Sequence, residues 1–96
     1  MDFRVVFSKK ALRDLKAIIA FIAEENVDAA IELGDLLAET ALNLRRFPFR
    51  HARCTNRSEV RKVPVDSYAI YYRIETTKNC VTILRFWHSA RQPPFV

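Results

Sequence analysis

The residues with the clearest chemical potential lie at the end of one strand-like stretch, Val81–Arg91, which reads VTILRFWHSAR. Trp87, His88 and Arg91 follow a run of β-branched and aromatic residues, and such a run favours a half-buried strand. Histidine exchanges protons near neutral pH, so His88 could act as a general acid or base. A histidine that is simply hydrogen-bonded at a strand end is the plainer interpretation of the same residue.

Alternation divides this strand into one buried face and one wetter face. Counting by twos separates two groups, Leu84 with Phe86 and Ile83 with Arg85 and Trp87. Because an unpaired arginine is costly to bury, we expect Leu84 and Phe86 to face the core and Arg85 to face outward.

The elements that must position this strand begin with a short strand over residues 3–7. Ser8 can cap a first helix, and Asn26 can cap a second one, because both side chains accept hydrogen bonds from helix N–H groups. The connection between the helices is short, which predicts an antiparallel hairpin. Gly34 is the only glycine and falls within the second helix. There it costs stability relative to alanine, so we expect it to allow close approach of the first helix or the sheet.

Three further strands are predicted after the helices. Residues 60–65 and 68–74 are joined by a tight turn, and residues 76–79 turn the chain into the final strand. The order β-α-α-β-β-β predicts an α+β fold, with a helical hairpin packed on a small antiparallel sheet. Residues 1–96 suit a single domain. Alternate residues of the strand over 68–74 should face the helices, namely Tyr68, Ile70, Tyr72 and Ile74.

The opposite face of this sheet should present basic and aromatic side chains together. Arginine charge for phosphates and aromatic rings for stacked bases are what single-stranded RNA binding uses. An acidic, partly apolar protein segment could dock on the same kind of surface. The predicted target-binding residues are Arg61, Tyr71, Arg73, Arg85, Trp87 and Arg91.

Charge is distributed unevenly along the chain, whose net charge is +5. Residues 1–44 carry five basic and eight acidic side chains, whereas residues 45–96 carry eleven basic and three acidic ones. This cationic second half favours an anionic partner, either nucleic acid or an acidic protein, although charge for solubility alone is the simpler explanation.

Composition excludes several other classes of protein. Half of the residues are hydrophobic, which predicts a globular chain, and no apolar stretch approaches the roughly 20 residues that span a bilayer. The start of the chain lacks the pattern of a signal peptide, so we expect a cytoplasmic protein without a membrane partner. Cys54 and Cys80 lack the spacing of a metal site, and we expect no metal or other cofactor. A disulfide between the two cysteines stays open.

The order of elements and two motifs resemble the RelE/ParE superfamily of bacterial type II toxins, and most closely its ParE-like branch. The motifs are Tyr-x-Ile-x-Tyr-Arg at residues 68–73 and Ile-Leu-Arg-x-x-His-x-x-Arg at residues 83–91. The resemblance implies the toxin of a plasmid-stabilisation module, encoded beside a small antitoxin that wraps segments over its surface. ParE-like toxins poison DNA gyrase, and RelE-like relatives cut messenger RNA in the ribosomal decoding site.

Departures from the nuclease pattern favour the gyrase-directed branch. If the chain were a metal-independent mRNA endonuclease, the resemblance would assign basic roles to Arg61 and Arg91 and the acid–base role to His88. However, Ala69 stands where such nucleases commonly place a further arginine, and no tyrosine follows Arg91. We therefore expect a ParE-like toxin neutralised by an acidic antitoxin. The alternatives are the endonuclease and a degenerate toxin fold that only binds its antitoxin.

Overall fold

Two helices pack on one face of a four-stranded sheet in the computed structural model, which describes residues 2–94. The elements are β1 (Arg4–Phe7), α1 (Lys9–Ala23), α2 (Val27–Leu42), β2 (Val60–Val65), β3 (Tyr68–Glu75) and β4 (Cys80–His88). The sheet order is β1-β4-β3-β2. The predicted α+β order is confirmed. The sheet is mixed rather than wholly antiparallel, because β1 runs parallel to β4. No tight turn links these two strands, so nothing forces them to run in opposite directions.

Both predicted helix caps are present. The Ser8 hydroxyl accepts a hydrogen bond from the Ala11 backbone N–H at 3.0 Å, and the Asn26 side chain accepts one from the Ala29 N–H at 3.0 Å. Gly34 is buried against α1, where an added Cβ would lie 2.8 Å from Cδ1 of Ile19. The expectation of close helix approach at the single glycine is therefore confirmed.

A β-bulge in β4 overturns part of the predicted alternation. Tyr71 pairs with Arg85 while the next residue, Tyr72, pairs with Ile83, so Leu84 is an extra residue opposite no partner. Ile83 is consequently fully buried beneath the helices, whereas Leu84 packs on the opposite face. The inward assignment of Phe86 is confirmed. The assignments of Leu84 and Ile83 were wrong because strict counting by twos assumes an unbroken ladder.

The main core lies between the helices and the sheet. As predicted, Tyr68, Ile70 and Tyr72 are buried there and Ile74 packs against its edge. A smaller apolar cluster lies on the other side of the sheet, which we call the outer face. Cys54 and Cys80 are free thiols, which answers the question of a disulfide. Within residues 2–94, no helix has the length and apolar character needed to cross a membrane.

Candidate functional site

The functional end of β4 is paired with β3 on one side and is held by α1 on the other. β1 pairs with β4 only as far as Ile83, and beyond that point α1 lies alongside. Arg85 donates from Nε to Asp14 Oδ2 at 2.7 Å and from a terminal nitrogen to Oδ1 at 2.9 Å. Asp14 Oδ2 also accepts the Phe86 backbone N–H at 3.2 Å. This bidentate pair fixes α1 against β4, and the hydrogen bond to Asp14 raises the pKa of Arg85.

Asp14 is a residue supporting the site that sequence reasoning missed. Its position, three residues after Ala11 and four before Ile18, belongs to the core-facing stripe of α1. A carboxylate on such a stripe requires a cationic partner, because a lone buried charge is very costly. That signal was available in the sequence, and it indicates that Asp14 needs some cationic partner.

Trp87 is enclosed by two arginines on the outer face. The guanidinium carbon of Arg85 lies 4.7 Å from the indole ring and that of Arg91 lies 4.2 Å from it. The indole N–H donates to the Gln92 carbonyl at 2.7 Å, which folds the C-terminal tail back onto the strand. Both arginines are therefore already engaged in cation–π contacts, and Trp87 offers only part of its ring to a partner.

The centre of the outer face is covered rather than open. Tyr71 is buried with Val60 and Ala69, and Leu84 and Trp87 pack beside them. The tail prolines Pro93 and Pro94 line the same recess as Tyr71 and Cys54. Burial raises the pKa of the Tyr71 hydroxyl and of the Cys54 thiol, so neither is activated as a nucleophile. Arg73 is half-exposed at the rim and lies 3.4 Å from Glu75.

Arg61 does not lie on the outer face, contrary to the prediction. It pairs with Tyr72 and therefore points to the helix side of the sheet. Its Nη1 donates to the carbonyls of Phe49 at 3.0 Å and His51 at 2.7 Å. The backbone of Arg53 pairs with that of Arg61, so a short segment extends the sheet at the edge of β2. The sequence pattern did not predict this segment. Arg61 thus braces the loop before β2.

His88 and Arg91 lie near each other, but Arg61 is remote from them. The His88 ring meets Tyr68 edge-on at 5.0 Å between centroids, and His88 Nδ1 accepts the Ala90 backbone N–H at 3.1 Å. Tyr68 pairs with both His88 and Val65. Arg61 is four residues from Val65 along β2, which corresponds to about 13 Å at the usual rise of a strand. The three residues therefore do not form one catalytic cluster.

An open groove of 540 Å³ runs between α1 and the end of β4. Its apolar wall includes Ile18 and Phe21, and the Phe21 side chain is 72% exposed. His88 and Arg91 line the same groove, so a cationic group borders an apolar surface. Among residues 2–94, no group of three or more His, Cys, Asp or Glu side chains is arranged to hold a metal ion.

Known proteins resemble this chain in sequence and in structure. Toxin RelE1 of Caulobacter vibrioides is 28% identical over 92 residues, which is 96% of this chain and 99% of that protein. The RelBE2 toxin–antitoxin complex of Mycobacterium tuberculosis matches with a TM-score of 0.73 and 24% identity, covering 95% of each chain. The chromosomal ParDE system of P. aeruginosa matches with a TM-score of 0.77 and 18% identity over 90% of this chain and 95% of that one. These two structures show a shared fold.

The family match covers nearly the whole chain. Residues 5–93 match the family described as the ParE toxin of type II toxin–antitoxin systems. The matched range includes every helix and strand from the second residue of β1 to the end of β4. The chain therefore belongs to the ParE toxin family, within the RelE/ParE superfamily of type II toxin–antitoxin toxins.

Proposed function

We propose that this toxin acts in the cytoplasm by binding a protein target, DNA gyrase, and that it does not cut RNA. The observation that carries the proposal is the separation of the groups that a nuclease would need together. Arg61 is held by two backbone carbonyls on the helix side of β2, whereas His88 lies at the far end of β4. A phosphate bound at His88 would receive no charge stabilisation from Arg61.

The proposed target surface is the rim of the outer face. Arg73 lies near one end of this face and Arg91 at the other, with Trp87 beside Arg91. Arg85 supports this surface indirectly, because its guanidinium is committed to Asp14 and Trp87. Binding through several separate contacts predicts that each substitution weakens toxicity in a graded way, with no single residue carrying a chemical step.

The proposed neutralising partner is an acidic antitoxin that orders on binding. The groove beside α1 suits its apolar segment, because Phe21 is exposed there and Arg91 can meet a carboxylate. Four basic residues of α1 surround the start of the helix, namely Lys9, Lys10, Arg13 and Lys16. Charge-assisted docking predicts an association rate that falls as salt rises. Binding of the product of the adjacent reading frame, measured at several salt concentrations, tests this.

A metal-independent mRNA endonuclease is the second candidate. It is favoured by the relative named Toxin RelE1 and by the common groove that His88 and Arg91 line. In that mechanism His88 would transfer a proton, and the arginine would stabilise charge developing on the phosphate. His88→Ala should then lower cleavage by roughly 100-fold or more while leaving antitoxin affinity nearly intact.

The deciding experiment runs a gyrase supercoiling assay beside a ribosome-programmed mRNA cleavage assay on the purified toxin. We expect inhibition of gyrase, no cleavage, and a folded His88→Ala variant that still arrests growth. Arg91→Ala should weaken growth arrest partially, and thermal melting of each variant controls for folding. Ribosome-dependent cleavage that His88→Ala abolishes would overturn the proposal. Inactivity in both assays together with antitoxin binding would identify a degenerate toxin fold.

A further inference from the structure

The segment between α2 and β2 carries the densest combination of arginines and exposed aromatic rings in the chain. Residues 45–53 read RRFPFRHAR, with four arginines, two phenylalanines and no acidic residue. We call this segment the arginine–phenylalanine loop. It runs from beside Phe3, whose N–H donates to the Arg45 carbonyl just before β1, to the β2 edge of the sheet, where Arg53 pairs with Arg61. The groove beside Phe47 shares no lining residue with the groove beside α1. None of its residues has a role in the function proposed above, apart from the carbonyls that hold Arg61.

The backbone of this loop is held in place by side chains of the sheet and by the residue before β1. Pro48 is buried, and its carbonyl accepts the Tyr72 hydroxyl at 2.5 Å within the core. Arg61 binds the carbonyls of Phe49 and His51. The Phe49 ring meets Phe3 edge-on with 6.0 Å between centroids. Such bracing determines the backbone conformation independently of what the exposed side chains do.

Phe47 is displayed at the tip of the loop in a strained conformation. Its φ and ψ are both 50°, in the left-handed region that a bulky residue rarely adopts. Its ring is 76% exposed, so burial of the side chain does not compensate the strain. Asparagine or glycine would suit this backbone better. A strained residue that gains nothing from packing points to a role in contact with another molecule.

The electrostatic field around this ring is positive. Asp2 is the nearby acidic residue, and it lies 3.7 Å from Arg45 and 3.8 Å from Arg46 with all three side chains well exposed. Such exposed pairs contribute little, so the arginines are available to a ligand. The pKa of His51 within the loop is lowered, by burial first and then by the positive charges of Arg50 and Arg61.

We propose that the arginine–phenylalanine loop binds single-stranded nucleic acid, with a base stacked on Phe47 and phosphates on Arg46 and Arg50. A groove of 430 Å³ beside Phe47, walled by Phe3 and Phe49, offers flat aromatic surfaces to a second base. The nine residues carry four positive charges and no negative charge, which complements the regularly spaced negative charges of a phosphodiester strand. An amphipathic protein helix would use several apolar anchors in a hydrophobic groove, whereas this loop exposes two phenylalanines among four arginines. The inference goes beyond the proposed function and does not depend on it.

The test measures fluorescence anisotropy of two labelled ten-nucleotide probes, oligothymidylate and oligouridylate, with the purified full chain. Phe47→Asn is the central variant, because asparagine tolerates the left-handed backbone and should leave the melting temperature equal or higher. We expect it to weaken binding about tenfold, as loss of one stacked base does. Ile31→Asn removes an exposed apolar side chain on α2, outside every proposed contact surface, and should leave oligonucleotide affinity unchanged.

Charge variants supply an independent readout. Arg46→Gln and Arg50→Gln should each lower the salt dependence of binding by about 0.7 in the slope of log affinity against log salt. Lys10→Gln, which removes an exposed charge on α1, should not change that slope. Preference for either probe supports the proposal and shows whether the loop favours the deoxythymidine or the uridine strand.

Three results would overturn the inference. The first is parental oligonucleotide affinity in a folded Phe47→Asn variant. The second is a decrease of the salt slope in the Lys10→Gln control as large as that in Arg46→Gln or Arg50→Gln. The third is failure of both oligonucleotides to bind. Binding of an acidic heptapeptide with a central phenylalanine at this loop would then assign the loop to a protein partner. Gyrase and cleavage assays on the Phe47→Asn variant run separately, so failure of this inference and failure of the proposed function are distinguished.

Discussion

Asp14 of α1 binds Arg85 of β4 through two parallel hydrogen bonds of 2.7 and 2.9 Å. The two side chains are only 15% and 18% exposed, and the same carboxylate accepts the Phe86 N–H. One carboxylate therefore joins helix and sheet, satisfies a backbone donor where β1 has ended, and orients the arginine beneath Trp87. The pair is structural support for the end of the strand where His88 and Arg91 lie.

Removing this carboxylate should therefore destabilise the fold. We expect Asp14→Ala to lower the free energy of unfolding by about 2 kcal/mol or more, because it leaves Arg85 and the Phe86 N–H without their acceptor. Glu75→Gln is the matched control, since its 3.4 Å pair with Arg73 is more exposed. That control should cost less than about 0.5 kcal/mol in urea unfolding. Equal losses in the two variants would show that the Asp14 contact is not special.

The bulge in β4 predicts unequal losses of stability when two neighbouring residues of similar size, Ile83 and Leu84, are replaced by alanine. Ile83→Ala should cost about 2–5 kcal/mol, because Ile83 is fully buried in the main core. Leu84→Ala should cost only about 1 kcal/mol, because Leu84 is half-buried on the outer face. Urea unfolding of both variants measures the difference. A larger loss at Leu84 would mean that β4 pairs without the bulge.

Gly34 and Ile19 should be coupled energetically. Alanine at residue 34 gains about 1 kcal/mol of helix propensity, and overpacking of a tight core typically costs about 1–3 kcal/mol. The added Cβ would lie 2.8 Å from Cδ1 of Ile19, and Ile19→Val removes that atom. We therefore expect Gly34→Ala to be at best neutral alone and more favourable by about 1 kcal/mol when Ile19 is valine. If the free-energy changes of the two substitutions simply add in a double-mutant cycle, the close approach of Gly34 to Ile19 would be contradicted.

His51 should make stability depend on pH. Its pKa is lowered from 6.5 in the folded chain, by burial first and then by Arg50 and Arg61. Unfolding restores the ordinary value, so below pH 6.5 the unfolded chain binds more protons and the free energy of unfolding falls. His51→Gln should flatten this fall between pH 7 and pH 5 in urea titrations. An NMR titration of the parent in which the His51 ring titrates at or above 6.5 would rule the effect out.

The sequence was sufficient for the parts of this protein that depend on local chemistry. Ser8 and Asn26 cap the helices because their side chains reach backbone donors three residues away, and this geometry needs no distant residue. Alternation placed Tyr68, Ile70 and Tyr72 beneath the helices because β3 pairs along its whole length. The two motifs at residues 68–73 and 83–91 were likewise sufficient to indicate the toxin superfamily.

Tertiary structure alone decided the faces and partners of the candidate site. The bulge at Leu84 shifts the alternation of β4, and a strand's own sequence carries no strong signal for an inserted residue. Arg61 points to the helix side because of its register with Tyr72, which is a relation between strands rather than within one. Asp14 meets Arg85 across 71 residues of chain, so only packing of α1 against β4 brings the charges together. Long-range pairing of this kind depends on the whole fold, and local spacing can predict only that a buried charge needs some partner.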